Sequence, residues 1–158
     1  MSSKIEQLHE TPDPVVIGLV QMSARELLII RRAVIPPDKH FSFPGELALP
    51  GGLVKKGAQW REELAREIEE EAHVVVSSDR RYMHVFDAES TPNGGHLLLF
   101  AKIIPTGVLR IDPFTPTRET DERHIVQVDH EHTTQLGIPL HQVIVDRYRE
   151  QAFSIKST

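Results

Sequence analysis

The chain has 158 residues, no cysteine and a formal net charge of −5. That length suits one domain with a sizeable core and argues against two. The absence of cysteine excludes a disulfide framework and a thiolate zinc site, and without a dominant basic patch nucleic acid is not an expected partner.

In chain order, residues 1–13 are polar and end in TPDP, which predicts a flexible arm; no apolar h-region marks a secretory signal. No apolar run approaches the roughly eighteen residues a membrane span needs, so no membrane partner and a cytoplasmic setting are expected. VVIGLVQM (15–22) and ELLIIRR (26–32) are apolar runs joined by SAR and read as a hairpin. Residues 33–46 are rich in proline and aromatics and predict a surface loop, where Phe41 and Phe43 would either stack on a base or plug the edge of the core. LALPGGLVKKGAQ (47–59) passes from a short strand into a glycine-rich turn. From Trp60 to Ala72, apolar residues at Trp60, Leu64 and Ile68 recur every fourth position, so a helix is expected with Trp60 as a core anchor. Strands are expected over 81–90 and 96–105, separated by the hairpin signal TPNGG, and over 108–111. A polar loop over 113–122 then leads to a strand at 124–128, and Pro139 suits the first turn of an amphipathic helix over 139–151. The domain is expected to span 14–152, with 153–158 as a tail. The histidines at 84, 96, 124, 130 and 132 have no recognised ligand spacing, and DHEH (129–132) reads as an exposed turn.

The first helix raises a question of charge. Glu63, Glu67, Glu70 and Glu71 recur at intervals of three and four, which places them on one helical face. Like charges at that spacing cost a few tenths of a kcal/mol per pair. Two readings follow: a solvated ridge, or oxygen ligands for a hard divalent cation such as Mg²⁺ or Mn²⁺. The apolar stripe points elsewhere, so the ridge need not be buried. Just upstream, the glycines of LPGG (49–52) let the backbone approach a ligand closely.

Taken together, GGLVKKGAQWREELAREIEEEAHV (51–74) resembles the Nudix box, G-x5-E-x7-R-E-U-x-E-E-x-G-U, with U aliphatic. Gly52, Arg66, Glu67, Ile68, Glu70, Glu71 and Val74 fall on its positions, Val74 being expected to close the helix. LPGG before the box and Arg31–Arg32 at the end of the second strand are similar to the family as well. The resemblance implies an α/β fold, an α/β/α sandwich around a mixed β-sheet. It also implies pyrophosphate hydrolysis of a nucleoside diphosphate linked to another moiety. The run from Arg31 to Gly52 looks more like ADP-ribose or dinucleotide pyrophosphatases than (d)NTP-cleaving relatives.

Carried onto this chain, the resemblance gives Glu67, Glu70, Glu71 and the Gly51 carbonyl as Mg²⁺ or Mn²⁺ ligands. Glu70 would also serve catalysis, Arg66 would orient the carboxylates, and Gly51, Gly52 and Arg32 would meet the substrate. Glu119 or Glu122, with Glu119 favoured, would supply a further carboxylate from the loop before the last strand. Two departures stand out. Ala58 replaces the box's first Glu, which leaves Arg66 to find another partner in Glu62 or Glu63. His73 replaces the last Gly, which requires either a left-handed residue at a cost of about 1 kcal/mol or a different helix end. They raise a rival reading, a Nudix-like binding or sensing module with little catalysis. A homodimer is left open.

Overall fold

The structure, a computed structural model, describes residues 14–90 and 97–153. The arm at 1–13, the TPNGG turn with His96, and residues 154–158 lie outside the described residues. The strands are β1 (Val15–Ser23), β2 (Glu26–Arg32), β3 (Leu47–Ala48), β4 (Gly51–Leu53), β5 (Val74–Val76), β6 (Met83–Ser90), β7 (Leu97–Ile103), β8 (Val108–Ile111) and β9 (Thr120–Gln127). Among the described residues, two α-helices accompany them, α1 (Trp60–Ala72) and α2 (Pro139–Phe153).

The order β3-β2-β1-β7-β6 forms the main sheet, with β4 also paired to β1 and β9 to β2. β1 and β7 run parallel while their neighbours run antiparallel, so the sheet is mixed. Its central strands are apolar on both faces, as strands covered on both sides must be. Period-two alternation divides them between two cores. Val16, Val20, Leu28, Ile30, Leu99 and Ala101 pack with Trp60, Leu64, Ile68 and Ala72 of α1. The intervening Ile17, Leu19, Leu27, Ile29, Leu98 and Phe100 pack with Ile144, Val145 and Tyr148 of α2. This is the expected α/β/α sandwich, with Trp60 in the core.

Three local expectations are corrected. Val74 does not close the helix: α1 ends at Ala72 and Val74 opens β5, which pairs with β8 in a separate two-stranded sheet. β9 starts at Thr120, so Glu122 sits inside a strand rather than in the preceding loop. There Glu122 lies opposite Arg31, and alignment with β2 extends the strand four residues further than its polar sequence suggested. The second helix continues through Phe153, which packs its ring edge-on to Tyr148.

α2 also ties the two layers together. His141, in its first turn, is buried, and its Nδ1 accepts the Leu49 N–H at 3.0 Å. Burial, helped by the nearby positive charge of Arg32, pushes this imidazole down to about 4. Below the unfolded value near 6.5, the unfolded chain holds a proton that the folded chain refuses. Stability from this group is therefore full above that value and drains away as pH falls towards 4, by roughly 3 kcal/mol in all. Urea unfolding at pH 7 and pH 5 should show the stability advantage of the wild type over His141→Gln shrinking at the lower pH; a constant difference would contradict this account.

Candidate active site

Two glycines let α1 meet the sheet without a layer of side chains between them. Gly51 and Gly52 pair with Ile17 and Val16 in β4. A Cβ on Gly51 would lie 2.2 Å from the Val16 carbonyl oxygen, and one on Gly52 would lie 2.6 Å from Cδ of Glu67. Gly51 has no room for a side chain against the β1 backbone, and any side chain at Gly52 would displace the Glu67 carboxylate. The backbone of β4 therefore rests directly on the acidic face of α1.

That contact buries what the spacing alone suggested could stay in solvent. Glu71 is 3% exposed and accepts the Gly51 N–H through Oε1 at 2.9 Å; Glu63 is buried as well. Glu67 is half-buried beside Gly52, and Glu70 alone of the four is open to solvent. Desolvation raises the Glu67 carboxyl to about 7, with Arg66 opposing the shift and Glu70, Glu119 and Glu63 adding to it. Glu71 is pushed well above the usual carboxylate range, first by burial and then by the charge of Glu67. Two interior carboxylates thus lack sufficient compensating charge.

Arg66 supplies part of that compensation. Its guanidinium donates to Glu63, to Glu67 at 2.8 Å and to Glu70, which raises its own pKa. With Ala58 in place of the box's first Glu, the buried Glu63 one turn back on α1 is thus a partner for Arg66. Ala58 itself packs against the rim of the core.

Arg32, at the end of β2, borders the same carboxylates. Burial lowers its pKa, while the charges of Glu71 and Glu119 oppose that shift. Its Nε donates to the Ser42 carbonyl at 2.7 Å, and its guanidinium lies 4.1 Å above the Phe41 ring. Phe41 therefore supports Arg32 rather than plugging the core, and Phe43 is exposed at a positive φ of 51°.

The two candidate carboxylates outside α1 have different surroundings. Glu119 stands at the turn into β9, its carbonyl accepting the Ala33 N–H at 2.9 Å, and its charge acts on Glu67, Glu71 and Arg32 together. Glu122 pairs instead with His124 at 2.8 Å and Arg31 at 3.0 Å, contacts that lower its pKa. The 129–132 run is a turn closed around the buried Asp129 carboxylate, which accepts the N–H groups of Glu131 and His132. An open cleft of about 430 Å³, lined by Arg66, Glu69, Glu70, His73 and Asp112, flanks the outer side of α1.

Among the described residues, no three carboxylate or imidazole groups are already gathered as a metal-ligand set. The chemistry of the donors nevertheless suits a hard divalent cation. They are all oxygens, and a cation would supply the positive charge that half-buried Glu67 and buried Glu71 need in order to ionise. Sequence spacing indicated the acidic face but missed His141, Arg123 and the full burial of Glu71. The i, i+3 relation of Glu63 to Arg66 was the one local signal for their ion pair.

A mixed sheet between two helices, with a glycine strand laid on an acidic helix, defines an α/β sandwich with a carboxylate-lined site. The chain belongs to the Nudix hydrolase family: the NUDIX domain family model matches residues 11–147. Members of this family generally hydrolyse pyrophosphate bonds with the help of a divalent metal. No curated protein matches the chain in sequence.

Among solved structures, the MutT protein of Methanosarcina mazei is similar at 19% identity and a TM-score of 0.60, covering 90% of this chain and 96% of its own. A MutT/nudix family protein from Enterococcus faecalis gives 19% and 0.55, covering 80% of this chain and 51% of its own. This chain therefore spans about half the length of that relative. A bifunctional NMN adenylyltransferase/ADP ribose pyrophosphatase from Francisella tularensis, complexed with AMP and a manganese ion, gives 15% and 0.52, covering 80% and 38%. These likenesses concern the fold. Among the described residues, no helix is long and apolar enough to cross a membrane.

Proposed function

We propose that this protein is a divalent-metal-dependent pyrophosphohydrolase whose small-molecule substrate is a nucleoside diphosphate joined to another moiety, of ADP-ribose or dinucleotide type in preference to a (d)NTP. The observation that carries the reading is the buried Glu71 with half-buried Glu67 beneath Gly51 and Gly52, bordered by Arg32. Mg²⁺ or Mn²⁺ held by Glu67, Glu70, Glu71 and the Gly51 carbonyl would neutralise phosphate oxygens and make a bound water more acidic.

The remaining roles belong to the chain. Arg32 presents a guanidinium that can engage a phosphate through two donors, already aimed by Phe41 and the Ser42 carbonyl. The close backbone at Gly51–Gly52 keeps the Gly51 carbonyl beside the carboxylates of α1, where it can join them around a cation. Arg66 holds the carboxylates of α1 in place without touching the reacting atoms. Glu119, exposed and acting on the same charge cluster, takes the proton from the attacking water. The manganese ion and AMP named for the Francisella protein support the metal and the nucleotide class by analogy of fold.

A panel of ADP-ribose, dinucleotides and (d)NTPs, each offered with Mg²⁺ or Mn²⁺, tests the proposal. AMP should be released from ADP-ribose or a dinucleotide. Turnover confined to (d)NTPs would overturn the substrate assignment. Binding of ADP-ribose without turnover would favour the binding or sensing module, the rival reading raised by Ala58 and His73.

A further inference from the structure

His73 stands where the Nudix pattern has glycine, and it keeps the glycine's backbone: φ is 57° and ψ 38°, in the left-handed region. A non-glycine residue there costs about 1 kcal/mol. The side chain must be considered together with what it touches. Its Nδ1 lies 3.2 Å from the Pro113 carbonyl oxygen and 3.4 Å from the Thr115 nitrogen. One tautomer donates to the first and the other accepts from the second, so the ring engages the segment in either state. The imidazole also packs against Phe114, with centroids 5.2 Å apart.

Arg123 closes the same segment from β9. Its guanidinium donates to the carbonyls of Asp112 at 2.6 Å and Ala72 at 3.1 Å, and lies 5.8 Å from the Phe114 ring centroid. The Asp112 N–H in turn donates to the His73 carbonyl at 2.9 Å. Residues 112–115 are therefore fastened to the C-terminal end of α1.

Beyond them, the chain is fixed a second time. Thr117 Oγ1 accepts the N–H groups of Glu119 and Thr120 at 3.2 and 3.0 Å. The Thr117 N–H donates to the Thr120 carbonyl at 2.9 Å. Only Pro116 lies between the two fixed stretches, and its φ is set by its ring. A single residue thus separates the stretch held at His73 from the turn that carries Glu119.

We propose that His73, with Arg123, is a positioning residue that fastens residues 112–119 to the end of the carboxylate helix and so sets where Glu119 stands. This rests on the reading of Glu119 as the base. The departure from the family's glycine then has a use: the cost of the left-handed histidine is offset by contacts that glycine cannot make.

The test compares wild type, His73→Gly, His73→Asn and Glu119→Gln, together with Glu119→Gln combined with each His73 change. Glycine and asparagine both accept the left-handed backbone, so both variants should fold. Amide exchange read by mass spectrometry should accelerate over 114–119 by at least about tenfold, with little change in the α1 core. With Mg²⁺ and ADP-ribose, kcat should fall about tenfold to a hundredfold at an unchanged KM, as for a misplaced catalytic group. In the Glu119→Gln background, the same His73 changes should cost nothing further.

Unchanged exchange over 114–119 would overturn the proposal, and so would losses that multiply with Glu119→Gln. Full activity in Glu119→Gln alone would overturn the reading of Glu119 as the base, and with it the claim that His73 acts on turnover through Glu119. Faster exchange in His73→Gly would then place the error in the base assignment and leave the clamp intact. The exchange readout needs no turnover, so it decides the clamp even if ADP-ribose is not a substrate.

Discussion

Glu71→Gln should lower kcat by at least about a hundredfold, since losing an anionic metal ligand removes several kcal/mol of charge stabilisation. The substitution is unusually clean here. Glutamine keeps the shape and an oxygen able to accept the Gly51 N–H. What disappears is a carboxyl group that burial, and then the charge of Glu67, hold well above the usual carboxylate range. In chelator near pH 8 the variant should therefore unfold at the same or a higher urea concentration than wild type, since glutamine has no ionisation for burial to oppose. Activity and stability should move in opposite directions. Chelation of the wild type should abolish turnover, and returning Mg²⁺ or Mn²⁺ should restore it. Full activity in Glu71→Gln would defeat the metal assignment, whereas loss of activity together with loss of folding would make Glu71 a structural residue.

The second large effect is expected at Glu119. If it takes the proton from the attacking water, Glu119→Gln should cut kcat by about 10² to 10⁴. Stability should scarcely change, because Glu119 is exposed and its structural contacts run through its backbone carbonyl and N–H. Glu122→Gln is the control. It removes the charge that faces Arg31 and His124 on the surface of β9, and should leave turnover close to wild type. A reversal of rank between the two would make Glu122 the base. Losses below about threefold in both would place the base on α1 itself, because they fall well short of general-base contributions.

Much of the architecture was legible because it depends on local pattern. The runs at 15–22 and 26–32 are apolar enough to announce central strands, and the fourfold recurrence of Trp60, Leu64 and Ile68 located α1. β5 was hidden because Val74 follows the helix with no proline or glycine to mark the break; His73 makes that break through its backbone. The start of β9 was hidden because Thr120, Asp121, Glu122 and Arg123 read as loop, although pairing with β2 makes them strand. A similar boundary governs the site. Helical spacing gives the direction of Glu63, Glu67, Glu70 and Glu71 but not their depth, which depends on how closely β4 approaches. Gly51 and Gly52 were recognised as permitting close approach to a ligand. Their first neighbours are Val16 and Glu67, so the closeness serves the fold before any substrate arrives.

The parallel pairing of β1 with β7 also bears on synthesis. Val15 lies opposite Leu98 and Val20 opposite Ile103, so the middle of the sheet joins segments made far apart in time. β2 likewise waits for its outer neighbour, since Glu26 meets Gln127. An emerging chain that has already made α1 and its glutamates has neither β7 to complete the sheet nor Glu119 to complete the cluster. Such long-range closure slows folding and leaves apolar strands uncovered in the meantime. On the ribosome, the acidic helix is thus born before its surroundings, and a competent site arises only after β9 has emerged.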